Sequence, residues 1–450
     1  MARISGLARP EQGVHLDRYF LHRLPSEGWR RNLLALTAAS FMTSVGFIFV
    51  MPLLPLLMAE LVGGDSTAAT AWSGLAFGIS PLMGAALAPI WGWIGDRYGY
   101  RLMLLRALGA IGLLMGLMGF ATSSVHLVIL RGAIGALGAF SPAAMGAIAA
   151  TTPRQETGRA IGLLQASQVA GSVVGPLIGG LLADQLGLRA PFLVVAGLFA
   201  IAFLLVYRLY QDLPSEHSDP TAAPAAARKP GVSTLWVLLA TLFAVQFADG
   251  TFGPLLPLYL RSLGVPPDAT ASLAGLTVSL GALGAALSSY WAPRLGGRRM
   301  VSIIQGGLMG AALLSLPVAL ATSWWQIPPL RALIGFLSGG ILTLSYTLAT
   351  RRVGRGRAGT ALGMLSSAAM IGWACGPLTT AALSGTGPRV MFVLNAILFA
   401  LCASAWLVER MLVRRRHVRR IRNAHKRSAR PAVEGDNYDT MGPPSDEVAR

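Results

Sequence analysis

The sequence predicts an all-α membrane protein with twelve transmembrane helices in two pseudo-symmetric six-helix bundles. Three observations carry this reading: a highly apolar composition, twelve apolar runs of spanning length, and an internal repeat that maps one half of the chain onto the other. Of 450 residues, 54% are hydrophobic and only 12% charged, and the mean hydropathy is +0.58. Soluble domains carry about 25% charged residues. So few charges cannot cover the apolar surface of a water-soluble fold, which excludes soluble, disordered, collagenous and disulfide-stapled classes.

A spanning helix needs roughly 20 apolar residues. Runs of that kind, bounded by Gly, Pro or charge, lie near 33–59, 70–91, 102–121, 125–150, 159–183, 189–209, 235–260, 268–292, 300–321, 325–350, 358–385 and 388–412. The chain divides accordingly. Residues 1–31 form an N-terminal tail, 32–209 a first six-helix bundle, 210–234 a linker, 235–412 a second bundle and 413–450 a basic, disordered tail. The linker reads SEHSDPTAAPAAARKP, a flexible composition. The first 31 residues hold six Arg and no apolar core, so they read as a tail rather than a cleaved signal.

Charge sets the orientation. The net charge of +18 resembles that of a nucleic-acid binder, but all cations except Lys229 and Lys426 are Arg, most of them gathered in tails and alternate loops. Loops on the side of both tails carry fourteen Arg and Lys; those on the other side carry three, Arg189, Arg261 and Arg389. That asymmetry places both termini in the cytoplasm of a protein integral to the plasma membrane. The expected partners are the lipid bilayer, a small-molecule substrate and protons, with no nucleic acid; the chain is read as a monomer. The basic segment 410–430 reads as an anchor on anionic lipid.

The repeat is visible in four matches at nearly one offset. Leu130-Arg131 with Gly135 recurs as Leu330-Arg331 with Gly335, and Gly171-x-x-x-Gly175-Pro176-Leu177 as Gly372-x-x-x-Gly376-Pro377-Leu378. Pro52-Leu-Leu-Pro55 recurs as Pro254-Leu-Leu-Pro257, and Phe192 as Phe392. Parallel six-helix repeats with a cavity between them are a transporter design.

Several motifs carry candidate chemistry. The loop after the second run reads Gly92-Trp93-Ile94-Gly95-Asp96-Arg97-Tyr98-Gly99-Tyr100-Arg101. Its glycines allow a tight turn, and Asp96 can accept charge-assisted hydrogen bonds or cap a helix. Arg131 sits about six residues, roughly 9 Å, inside the fourth run, where a long side chain can snorkel. Gly171, Gly175 and Gly179, four apart with Pro176 and Gly180 beside them, put small residues on one helix face for close packing. Asp249 lies roughly 21 Å into the seventh run. An acid at that depth is costly and marks a functional site by default; it is the candidate proton carrier. Phe41, Phe47, Gln168, Gln246, Phe247, Tyr346 and Trp373 are candidate cavity residues. Neither lysine lies in a phosphate-binding loop, and no His-Glu-x-x-His or Gly-x-Ser-x-Gly string is present. The chain is therefore read as a non-enzyme without cofactor or metal.

The Gly92–Arg101 loop resembles the signature loop of the major facilitator superfamily, with Tyr100 departing from one basic position. The span 5 string is similar to the antiporter motif of that family's drug exporters. Trp29-Arg30-Arg31-Asn32 and Trp72-Ser73-Gly74 also resemble bacterial twelve-helix drug/proton antiporters. This resemblance implies the major facilitator fold and proton-coupled efflux of amphipathic or hydrophobic small molecules. By resemblance, Gly92, Asp96, Arg97, Gly99 and Arg101 form a conformational gate. Gly171, Gly175, Pro176, Gly179 and Gly180 form the antiporter motif. Arg131 assists the proton that Asp249 carries, and Arg331, its repeat counterpart, is structural. The first run holds no acid, unlike several proton-coupled drug pumps. A narrow metabolite facilitator and a non-transporting membrane sensor remain as rival readings.

Overall fold

The computed structural model describes residues 24–153, 155–212, 232–296, 299–353 and 358–428. Among them twelve helices have the length and composition to cross a membrane. In chain order, spans 1 to 6 are Gly28–Leu61, Ser66–Ala88, Tyr100–Gly119, Ser124–Thr151, Thr157–Leu186 and Ala190–Leu209. Spans 7 to 12 are Thr234–Ser262, Pro267–Ala292, Met300–Ala319, Trp324–Arg351, Leu362–Ala382 and Pro388–Met411. Each starts and ends within five residues of its position read from the sequence. The described residues contain helix and turn but no strand, as a bilayer requires, since a helix satisfies its backbone internally. Most of the expected tails and linker lies outside the described residues.

Local breaks follow from residue chemistry. Span 1 runs as Leu24–Phe49, pauses, and resumes as Leu53–Leu61, because Pro52 has no N–H to continue the ladder. Its repeat counterpart, span 7, keeps Pro254 and Pro257 inside one continuous helix. Span 4 breaks between Leu137 and Phe140. The span 2 helix continues past the membrane to Tyr98. Gly99 then turns the chain at φ +89°, a conformation open to glycine and strained for other residues.

Each half has its own core. Leu36, Phe49, Leu108, Phe192 and Phe199 belong to one buried cluster that joins the first six spans. In the second half, Leu242, Ile304 and Trp406 form one cluster, and Phe252, Val318 and Phe392 another. Similar staples close the two halves. In the first, Asn32 of span 1 exchanges two hydrogen bonds with the backbone of Gln211 after span 6, at 2.8 and 3.0 Å. In the second, Thr234 of span 7 donates to Glu409 of span 12.

Loops after odd-numbered spans share one end of the bundle, the short-loop end; span 1 begins, and span 12 and the other even-numbered spans end, at the opposite one, the tail end. At the short-loop end the halves touch through glycine. A Cβ at Gly74 of span 2 would stand 2.8 Å from the Ala381 nitrogen, and one at Gly180 of span 5 would stand 2.8 Å from Ser272 Cα of span 8. Small residues allow such backbone approach between membrane helices. Gly162 lies five turns from Gly180 on the same face of span 5, yet a Cβ there meets nothing within 4 Å; the same holds at Gly158 and at Gly363 of span 11. The space between the halves is closed at the short-loop end and open toward the tails.

Candidate transport cavity

Span 7 carries Asp249 to the middle of the second half, and span 10 brings Arg331 to it. The Arg331 guanidinium donates to an Asp249 carboxylate oxygen, forming an ion pair. Arg331 is held on other sides too. Its guanidinium carbon lies 4.3 Å from the centroid of the Phe252 ring. Gly281 of span 8 leaves it room, since a Cβ there would stand 2.9 Å from Arg331 Nε. The arginine side chain is 8% exposed, whereas that of Asp249 is 38% exposed. The acid is thus the accessible member of the pair. Pairing is what makes such charges tolerable within a membrane.

Both residues line a cavity of about 260 Å³ between the halves. The second half supplies Gln246, Phe252, Ser289, Ser338 and Trp373, and the first supplies Ile48, Met51, Val169 and Ser172. A largely apolar lining with a few converging polar groups suits an amphipathic small molecule.

Arg131 is not brought to Asp249. It belongs to the first half, where it is 2% exposed, with its guanidinium carbon 5.2 Å from the ring centroids of both Phe47 and Phe77. Its Nε is buried without a hydrogen-bond partner. The cation beside the acid is instead Arg331, which the resemblance assigned to structure.

Of the seven cavity candidates, Gln246 and Trp373 line this space. Phe47 packs on Arg131. Phe41 is 36% exposed, and Gln168 donates to Ser141 at 3.4 Å. Phe247 is buried beside Phe243. Tyr346 packs against the core of Leu242 and Trp406. Sequence inspection passed over Phe252, Ser289 and Ser338 because nothing in their immediate neighbourhood distinguishes them from packing residues.

Around the signature loop, the Arg97 guanidinium lies 5.7 Å from the Trp93 ring centroid and 5.9 Å from that of Tyr98. Arg101 donates to the Tyr207 carbonyl at 2.7 Å, and its backbone N–H reaches Asp212 at 3.2 Å. Gly99 faces the same carboxylate: a Cβ there would stand 2.7 Å from it. This part of the loop therefore docks on the end of span 6 within the first half. Gly92 and Asp96 lie in the helix Ser66–Tyr98, and the described contacts of the loop are those of its other residues.

The span 5 string divides between two neighbours. A Cβ at Gly171 or Gly175 would stand 2.7 Å from the carbonyls of Phe41 and Val45 in span 1, and Gly179 packs on the Phe49 ring. Gly180 and the Pro176 carbonyl instead meet span 8 at Ala271 and Gly275. One turn on, Asp184 accepts the backbone N–H groups of Ala271 at 3.3 Å and Ser272 at 2.8 Å.

The family model of the Major Facilitator Superfamily matches residues 36–304 and 238–438. The chain is 36% identical over 400 residues to Multidrug resistance protein MdtG of Serratia proteamaculans (strain 568), an alignment covering 86% of this chain and 96% of the relative. It is 35% identical over 378 residues to Multidrug resistance protein MdtG of Salmonella typhimurium (strain LT2), covering 82% and 92%. Among solved structures, a bacterial homolog to the human lysosomal transporter Spinster, in inward-facing and occupied conformation, has a TM-score of 0.69 at 17% identity and covers 88% of this chain and 97% of that one. The nucleoside transporter NupG has a TM-score of 0.69 at 11% identity, covering 84% and 99%. At these identities the solved structures show the shared fold.

Proposed function

This chain belongs to the Major Facilitator Superfamily and is a transporter of the inner membrane, and from that premise we propose that it exports amphipathic or hydrophobic small molecules in exchange for protons. The single observation that carries the proposal is the Asp249–Arg331 pair on the wall of a cavity between the two halves.

The geometry supports the following cycle. With the tail end cytoplasmic, the cavity as it stands loads from the cytoplasm. An apolar molecule packs against Phe252 and Trp373, while Gln246, Ser289 and Ser338 offer it hydrogen bonds. The ionised Asp249 is held by Arg331, so the pair presents no net charge to an uncharged guest. The halves then rock about the cavity and expose it to the other side. There Asp249 takes up a proton and Arg331 loses its counter-charge. Return to the tail-open state delivers the proton inward and restores the pair. Arg131, a buried cation in the first half, opposes net positive charge in the closed cavity, so proton loading and occupancy by a cationic guest exclude one another. The loop around Arg97, Gly99 and Arg101 seats the first half at the tail end and gates the closure there.

The test is flux in proteoliposomes under an imposed pH gradient, with a fluorescent amphipathic dye. The gradient accelerates dye movement by the wild type, and Asp249→Asn transports at a rate independent of it. A wild type indifferent to the gradient means facilitated transport, and no flux at all in folded protein means a sensor; either overturns the proposal.

A further inference from the structure

We infer that Asp184 is a positioning residue of the transport cycle: its carboxylate pins the short-loop end shut by capping a helix that belongs to the opposite half.

Asp184 stands in the last turn of span 5, and the N–H groups it binds, of Ala271 and Ser272, open the helix Thr270–Gly296 of span 8. The first N–H groups of a helix have no partner within it and are normally met by a residue just before it in the chain. Here the adjacent hydroxyl of Thr270 is turned back to the Pro266 carbonyl at 2.7 Å, and the cap arrives from span 5, 87 and 88 residues away in sequence. A carboxylate at this position gains twice, from the positive end of the helix and from charge-assisted hydrogen bonds.

The contact also crosses the surface that has to part. Gly180 and Gly275 let spans 5 and 8 touch there, but close van der Waals contact has no direction. Among the described residues, the hydrogen bonds between the halves at this end are those of Asp184. Glu60 and Arg189, at the same end, pair at 3.7 Å within the first half and travel with it. When the short-loop end opens, Asp184 exchanges two N–H groups for water and the helix of span 8 loses its cap. The interaction therefore weights the closed state alone, which is the condition for a residue to set a conformational equilibrium.

The inference rests on the alternating-access reading proposed above but not on proton coupling, so its test uses neither substrate nor gradient. In a background of Cys375→Ser and Cys402→Ser, Ser172→Cys places one thiol on the cavity wall. A second reporter, Gly385→Cys, establishes which membrane face carries the short-loop end. Membrane-impermeant maleimide is applied from that face. Asp184→Ala is expected to raise the labelling rate at position 172 at least five-fold from the short-loop side and to lower it from the tail side. Asp184→Asn, which keeps an acceptor oxygen, falls between Asp184→Ala and the parent. Ser272→Pro removes a donor from the other partner while leaving a proline in the tolerated first turn. It reproduces the effect, and combining it with Asp184→Ala adds nothing further. Unchanged labelling in both Asp184→Ala and Ser272→Pro overturns the inference. So does a rise from both faces at once, which reports loosening of the whole bundle.

Discussion

Arg331 reaches from span 10 to the Asp249 carboxylate of span 7 over the face of the Phe252 ring, so one half of the transporter holds both charges of the cavity. The first half contributes Arg131, set apart between two phenylalanines. The charged groups lining the cavity thus belong to the second half, while the first supplies Ile48, Met51, Val169 and Ser172 to its wall.

Replacement of the base should consequently resemble replacement of the acid. Arg331→Met leaves Asp249 without its counter-charge at the edge of a membrane cavity and breaks the ion pair on which the proposed exchange depends. Dye flux in proteoliposomes is expected to lose at least ten-fold of its stimulation by a pH gradient. Arg331→Lys keeps the charge but not the planar fork and retains part of the stimulation. Full stimulation in Arg331→Met would separate this arginine from coupling.

Two glycines of one motif should fail in different ways. Gly171→Val drives a branched side chain into the Phe41 carbonyl within the first half. Overpacking of this kind costs about 1–3 kcal/mol, and a lowered melting temperature in detergent is the expected readout. Gly180→Val meets the backbone of span 8 across the interface. The halves can relieve that clash by parting, so cavity accessibility from the short-loop side rises while the melting temperature changes less.

Tyr210, fully buried where span 6 ends, supplies a pH prediction. Burial first, and the nearby Asp212 charge second, push its phenol well above the ordinary value of 10.0. The folded protein therefore keeps the proton where the unfolded chain gives it up. The resulting stability is complete below about pH 10 and is lost as pH rises beyond it. Thermal unfolding in detergent should show that decline, and Tyr210→Phe should flatten it relative to the parent.

Affinity and stability should separate at two aromatic positions. Trp373 lines the cavity, and Trp373→Ala is expected to raise the dye KM several-fold with a small change in melting temperature. Tyr346 packs on the core of the second half, so Tyr346→Ala should lower the melting temperature and leave KM near that of the parent. The reverse pattern would relocate the binding surface.

The spans were legible because lipid imposes a length and a composition on any helix that crosses it; Thr157–Leu186 and Met300–Ala319 end close to where the apolar runs end. Asp249 was legible as well, since a carboxylate amid an apolar run has few structural excuses. Its partner was not. Arg131 stands seven residues into span 4 and Arg331 seven into span 10, so the repeat sets both at one depth, and counting along the chain cannot tell them apart.

Only lateral packing chooses between them. Gly281 and Phe252 make the slot that aims Arg331 at the acid, while Phe47 and Phe77 enclose Arg131 elsewhere. The two roles of the span 5 glycines and the reach of Asp184 to another helix's first turn are decided in the same way. Amino-acid order thus determined which segments enter the membrane and which residues are too polar to be there by default. Which of those residues meet depends on how the rods pack, and that depends on side chains far apart in the chain.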